Sequence, residues 1–234
     1  MPRTLPDGRR LGAHLPLGAG MVAAADRAHA IGARAIQVFA DNPTAWHRRV
    51  EPPRELAAFR ARLAELDIGP LAIHAAYLIN LAGPEDDFWD RSLDVLISEL
   101  RVAPTFGARF VNVHIGSHKL TGFDAGIERL GTGIARALAE VEVGDGPLLV
   151  LENSAGGGGG IGATVSELAA VFDSVDRHGA DMARVALCLD TAHLWGAGYE
   201  LDKPEAIDSL LDELDRSSST ARALPGLPPA RHGP

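Results

Sequence analysis

The stretch VALCLDTAHLWGAGY, Val185–Tyr199, opens on five apolar residues and closes in a polar cluster. The apolar half reads as a strand, Val185–Asp190, buried on both faces, as strands of parallel sheets are. Asp190 ends it and His193 follows three residues later. In α/β proteins ligands collect outside the carboxyl ends of the strands. A carboxylate and an imidazole delivered there mark a candidate site, and both are Zn²⁺ ligands. Taken alone, the pair has a purely structural explanation as well: Asp190 caps a following turn and His193 hydrogen-bonds to it.

The pattern recurs upstream. Leu71–His74 ends in His74, Phe110–His114 in His114 and Leu148–Glu152 in Glu152. Leu11–Leu15, ending at His14, and Ala33–Phe39 complete a set of short, nearly continuous apolar strands. Between and after them, Met21–Ile31, Glu55–Leu66, Asp86–Phe106, Asp124–Val141, Thr164–Val175 and Lys203–Leu214 read as helices. In Glu55–Leu66 the apolar Leu56, Phe59, Leu63 and Leu66 fall at helical spacing, opposite Arg60, Arg62 and Glu65. Thr164 with Glu167 makes a capping box. Repeated βα units of roughly 35–40 residues, without a sequence repeat, point to a TIM-type (β/α) barrel, with a doubly wound open sheet as the alternative.

A barrel needs eight strands, so Leu11–Leu214 reads as an incomplete barrel with about six of the eight βα units. Asp215–Pro234, DRSSSTARALPGLPPARHGP, has lost the pattern and reads as a disordered tail. Its Ser, Ala, Pro, Gly and Arg composition resembles coding sequence read out of frame.

Parallel strands send their carboxyl ends to one face. His74, His114, Glu152, Asp190 and His193 are therefore expected to converge, as a zinc or di-metal ligand set. A structural role explains one such residue but not five, because burying an unpartnered Glu costs on the order of several kcal/mol. Other residues carry two readings each. His14 lines the same mouth or packs. His118 supports a ligand or bonds within its loop. Gly156–Gly160 lacks the following Lys-Ser/Thr of a phosphate loop, so it marks close backbone approach to a substrate or plain flexibility. Tyr77, at the rim, stacks on a base or sugar or packs in the core.

The chain has 234 residues, 46% hydrophobic, with a formal net charge of −9. That balance argues against a globally basic nucleic-acid binder and leaves room for a local basic groove. The single cysteine, Cys188, excludes a disulfide framework and fits a reducing, cytoplasmic setting. No leader-like apolar segment and no apolar run near ~20 residues occurs, so no membrane partner is expected.

Six motifs then stand in order: GAH at Gly12–His14, QVFADNPTAW at Gln37–Trp46, HAAYLINLA at His74–Ala82, VNVHIGSH at Val111–His118, LENSAG at Leu151–Gly156 and LDTAHLWGAGY at Leu189–Tyr199. Together, across Leu11–Leu214, they resemble the endonuclease IV family of apurinic/apyrimidinic endonucleases. The resemblance implies a monomeric TIM barrel with up to three zinc ions, which cuts double-stranded DNA 5′ to abasic sites in base excision repair. It implies that His74 and His114 hold one zinc, that the catalytic Glu152 bridges to a second held by Asp190, and that His193 holds the third. Tyr77 would touch DNA.

Two departures accompany the resemblance. The loop Asp41–Trp46 carries Asp41 and Thr44 where the family has a basic DNA-holding side chain. The family's later ligands, another His, an Asp-x-His pair and a late Glu, have no counterpart. Fewer zincs and little activity are therefore expected of the chain as written. The rival readings are a sugar isomerase or epimerase of the xylose-isomerase-like barrels, and an inactive fragment.

Overall fold

The computed structural model describes residue 5, residues 8–141 and residues 146–220. Among these, strands and helices alternate from the start: β1 (Gly12–His14), α1 (Met21–Ala30), β2 (Ala35–Val38), α2 (Leu56–Glu65), β3 (Leu71–His74) and α3 (Asp86–Phe106). The alternation continues with β4 (Phe110–His114), α4 (Phe123–Ala139), β5 (Leu148–Glu152), α5 (Val165–Arg177), β6 (Val185–Cys188), α6 (Thr191–Gly196) and α7 (Pro204–Thr220). The six strands form one sheet in chain order. β1 through β4 pair in parallel, with Val38 opposite Ile73 and His74 opposite Asn112.

Strand interiors are apolar because both faces are covered. Ile73, Val111, Leu149 and Leu151 have no accessible surface, and burying each such side chain contributes roughly 1.5–3 kcal/mol. The helices turn one stripe inward. α3 buries Trp89, Leu93, Leu96, Leu100 and Phe106, and α5 buries Val165, Leu168, Val171, Phe172 and Val175.

The described residues group into two compact units. One takes in the chain up to Ile79, Asp87–Val113 and Glu140–Leu149; the other takes in Asn80–Asp86, His114–Ala139 and the chain from Val150. In the second unit the N-cap half of the expected capping box forms: Thr164 Oγ1 accepts from Glu167 N at 3.2 Å. The Glu167 carboxylate reaches one and two residues past the Thr164 N–H that the motif uses, accepting from Ala163 N and Gly162 N at 2.9 Å each.

Three boundaries differ from the sequence reading in ways that matter. β6 stops at Cys188, two residues short of Asp190. Asp190 instead caps α6, a six-residue helix that the reading did not anticipate. The helix expected to end at Leu214 runs to Thr220; residues 221–234 lie outside the described residues. Leu210 and Leu214 are buried with Val165 and Leu194. A helix anchored by packing propagates through residues of weak propensity such as the serines at 217–219. No described helix is long and apolar enough to cross a membrane.

Candidate metal centre

Glu152 is the last residue of β5 and is 5% exposed, behind Leu149 and Leu151. Its Oε1 lies 3.6 Å from Nε2 of His114, the last residue of β4, and 3.4 Å from Nδ1 of His193 on α6. The two imidazole rings meet edge to face with centroids 5.8 Å apart. Glu152, Asp190 and His193 each offer a ligand atom, all within 4.8 Å of one another. A buried carboxylate set between imidazoles, with a second carboxylate in reach, is an N/O donor set suited to a divalent metal.

Hydrogen bonds set the protons. His193 Nδ1 lies 2.8 Å from the Asn153 carbonyl oxygen. A carbonyl only accepts, so Nδ1 carries the proton and Nε2 keeps its lone pair for a metal. The longer approach of Glu152 to the same nitrogen is secondary, since Nδ1 has one proton to give. In the first unit His74, 6% exposed, repeats the device: its Nδ1 donates to the Ala75 carbonyl at 2.7 Å.

Asp190 both caps and offers charge. Its Oδ1 accepts from His193 N at 2.9 Å, so the structural reading of the pair is realised alongside the ligand geometry. Partial burial pushes the Asp190 carboxyl up, but the backbone N–H groups of His193 and Ala192, together with the His193 and His114 imidazoles when protonated, outweigh it, and the group sits below its ordinary value. Cys188 behaves oppositely. Burial first, then the charges of Glu152 and Asp190, push its thiol up to about 11. It stays protonated at neutral pH.

Around His74 the first unit gathers aromatic rings. His14 stacks on it at 5.7 Å, and Phe39 and Tyr77 pack at 5.3 and 5.4 Å. Tyr77 is 54% exposed, with its backbone N–H on the Pro43 carbonyl at 3.0 Å. Gln37 Nε2 donates to His14 Nδ1 at 3.2 Å.

A family model for the xylose isomerase-like TIM barrel matches residues 25–219. A probable endonuclease 4 of Halothermothrix orenii is 36% identical over 207 residues, 88% of this chain and 72% of that protein. The crystal structure of endonuclease IV from Thermus thermophilus superposes with a TM-score of 0.74 at 35% identity, covering 92% of this chain and 74% of that one. The chain belongs to the endonuclease IV family. An L-ribulose 3-epimerase structure, at TM-score 0.66 and 16% identity over 88% of this chain and 67% of its own, shares the fold alone.

Two segments that read two ways in the sequence are held by internal hydrogen bonds. The glycine run Gly156–Gly160 is held by the protein's own backbone. Ser117 pairs with Gly160 and its hydroxyl donates to the Gly158 carbonyl at 2.7 Å, while His118 N donates to the Gly159 carbonyl at 3.0 Å. His118 bonds within its loop, its Nδ1 accepting from Gly122 N at 3.2 Å. In the loop after β2, Asp41 accepts from Asn42 N and Arg49 N at 2.8 and 2.6 Å. Of the arginines in that loop, Arg48 turns inward to Glu99 at 3.2 Å.

Two residues of this endonuclease IV chain escaped the sequence reading. Asn80 brackets the turn after His114, its Oδ1 accepting from Ser117 N and its Nδ2 donating to Ser117 O, both at 3.0 Å. Asn153, directly after Glu152 and 1% exposed, holds the Asp190 backbone. Polar carboxamides in loops leave no periodic trace; adjacency to a strand-end carboxylate was the available signal.

Proposed function

We propose that the chain is a zinc-dependent phosphodiesterase of base excision repair that hydrolyses DNA 5′ to abasic sites. The observation that carries this reading is the buried Glu152 carboxylate set between His114 and His193, with Asp190 in ligand reach. The relatives named endonuclease supply the substrate class. By the family resemblance His74 and His114 would hold one zinc, and Glu152, Asp190 and His193, whose ligand atoms lie within 4.8 Å of one another, would hold the others. Clustered zinc, when bound, lowers the pKa of a bound water to ~7 and stabilises charge on the attacking and leaving oxygens.

The chain's own residues do the rest. The Asn153 and Ala75 carbonyls keep His193 and His74 in the tautomer that leaves Nε2 bare. The amides on Asp190 hold it as carboxylate. Tyr77, exposed beside His74, offers a ring to the DNA. An abasic nucleotide has no base to unstack, so turning it out of the helix is cheap. Such a protein acts as a monomer in the cytoplasm.

The test compares the wild type with Glu152→Gln for zinc content and for cleavage of a duplex bearing one abasic site. The decisive comparison is internal, between wild type and variant. Glu152→Gln lowers bound zinc and reduces the rate by more than ~100-fold. Zinc content and cleavage both unchanged in Glu152→Gln, or a wild type that takes up no zinc, would overturn the reading.

A further inference from the structure

We infer that Asn153 is a positioning residue that sets the Asp190–His193 side of the centre; this role rests on the metal reading above. β6 ends at Cys188, and the last ladder bond runs from Asn153 N to the Cys188 carbonyl at 3.2 Å. Past that point a continuing strand would supply partners for Asp190. The Asn153 side chain supplies them instead. Its Oδ1 accepts from Asp190 N at 2.5 Å and its Nδ2 donates to Asp190 O at 3.3 Å. The carboxamide thus grips both polar groups of one residue, as a paired strand would. The same residue's carbonyl takes the His193 Nδ1 proton at 2.8 Å.

One residue therefore reaches the end of β6, the backbone that carries the Asp190 carboxylate, and the ring of His193. It also follows Glu152 in the chain, so the three donors Glu152, Asp190 and His193 share one support. Asn153 is 1% exposed, and dry, fully bonded groups of this kind hold ligand geometry tightly. No other side chain does the same. Asp offers the acceptor but cannot donate to Asp190 O, Gln is one methylene too long, and Leu fills the volume with neither bond.

The experiment uses the full chain as wild type, Asn153→Ala and Asn153→Asp. Zinc affinity is read by competition with a chromophoric chelator, and ligand geometry by the visible absorption of the Co²⁺-substituted protein. Asn153→Ala is expected to weaken zinc binding by roughly 10–100-fold and to change the Co²⁺ bands. Asn153→Asp keeps the bond to Asp190 N and adds a negative charge beside the metal. Charge alone would tighten zinc, so weaker binding in this variant isolates the lost Nδ2 grip, and it keeps the test intact if Asn153→Ala does not fold. Variants that bind zinc as tightly as the wild type, even with lowered melting temperatures, overturn the positioning role and leave the metal reading standing. A wild type that takes up no zinc overturns the metal reading itself, and the role with it.

Discussion

At Gly116 the backbone sits at φ +102°, and a Cβ built there would strike Asn80 Oδ1. Gly116 lies two residues past His114 and just before Ser117, whose peptide Asn80 brackets. Strain in the left-handed region and a collision with a committed carboxamide act together, so Gly116→Ala is expected to destabilise the protein by roughly 2–4 kcal/mol. Urea unfolding measures it; a loss within about 0.5 kcal/mol would show that the turn relaxes freely. At this scale the sequence exposed the charged residues more readily than their supports. His114, Glu152 and Asp190 each follow an apolar run, which marks them. Asn80 and Asn153 sit in irregular segments, and their importance lies in which distant peptide they face.

Among the elements, the loop after β2 is braced against α3 by a buried ion pair. Arg48 Nη1 meets Glu99 Oε1 at 3.2 Å, and Nη2 donates to the carbonyls of Asn42 and Ala45. Glu99 is 3% exposed. Burial pushes its carboxyl up to about 7, against the pull of Arg48, and Asp41 adds to the rise. The folded state therefore holds this proton more tightly than the unfolded chain. The associated stability is complete below the unfolded value of 4.5 and is lost as pH rises through about 7. Glu99→Gln resembles the protonated form at every pH. It should match the wild type near pH 4 and gain on it by pH 8, by on the order of 3 kcal/mol. Thermal melts at the two pH values check this; a variant that loses ground at pH 8 would show that Arg48 outweighs burial. A sequence reader sees Arg48 and Glu99 as two charged residues among many, because separation along the chain hides their pairing.

On the scale of the whole molecule, Glu152, Asp190 and His193 come from the end of β5 and the start of α6, so a metal bound to them would tie those two elements. A ligand that binds only the folded state stabilises it by mass action, ~2.7 kcal/mol at a hundredfold excess over Kd. Added zinc should raise the melting temperature, and a chelator should return it; a melting curve indifferent to zinc would contradict the tie. β3, β4, β5 and α3 lie at the residues the sequence marks, because continuous apolar runs and a 3.6-residue stripe record burial directly. The family motifs are equally local. By itself, then, the sequence determined the βα alternation, the parallel sheet and the residue types at the strand ends. Only tertiary structure decided that β6 yields to α6 at Asp190, that the glycine run is bound by the protein's own Ser117 and His118, and that Asn153 and Arg48 do their work inside. Each of those depends on which partner satisfies a buried polar group, and that partner lies about 37 to 51 residues away in the chain, where no local pattern records it.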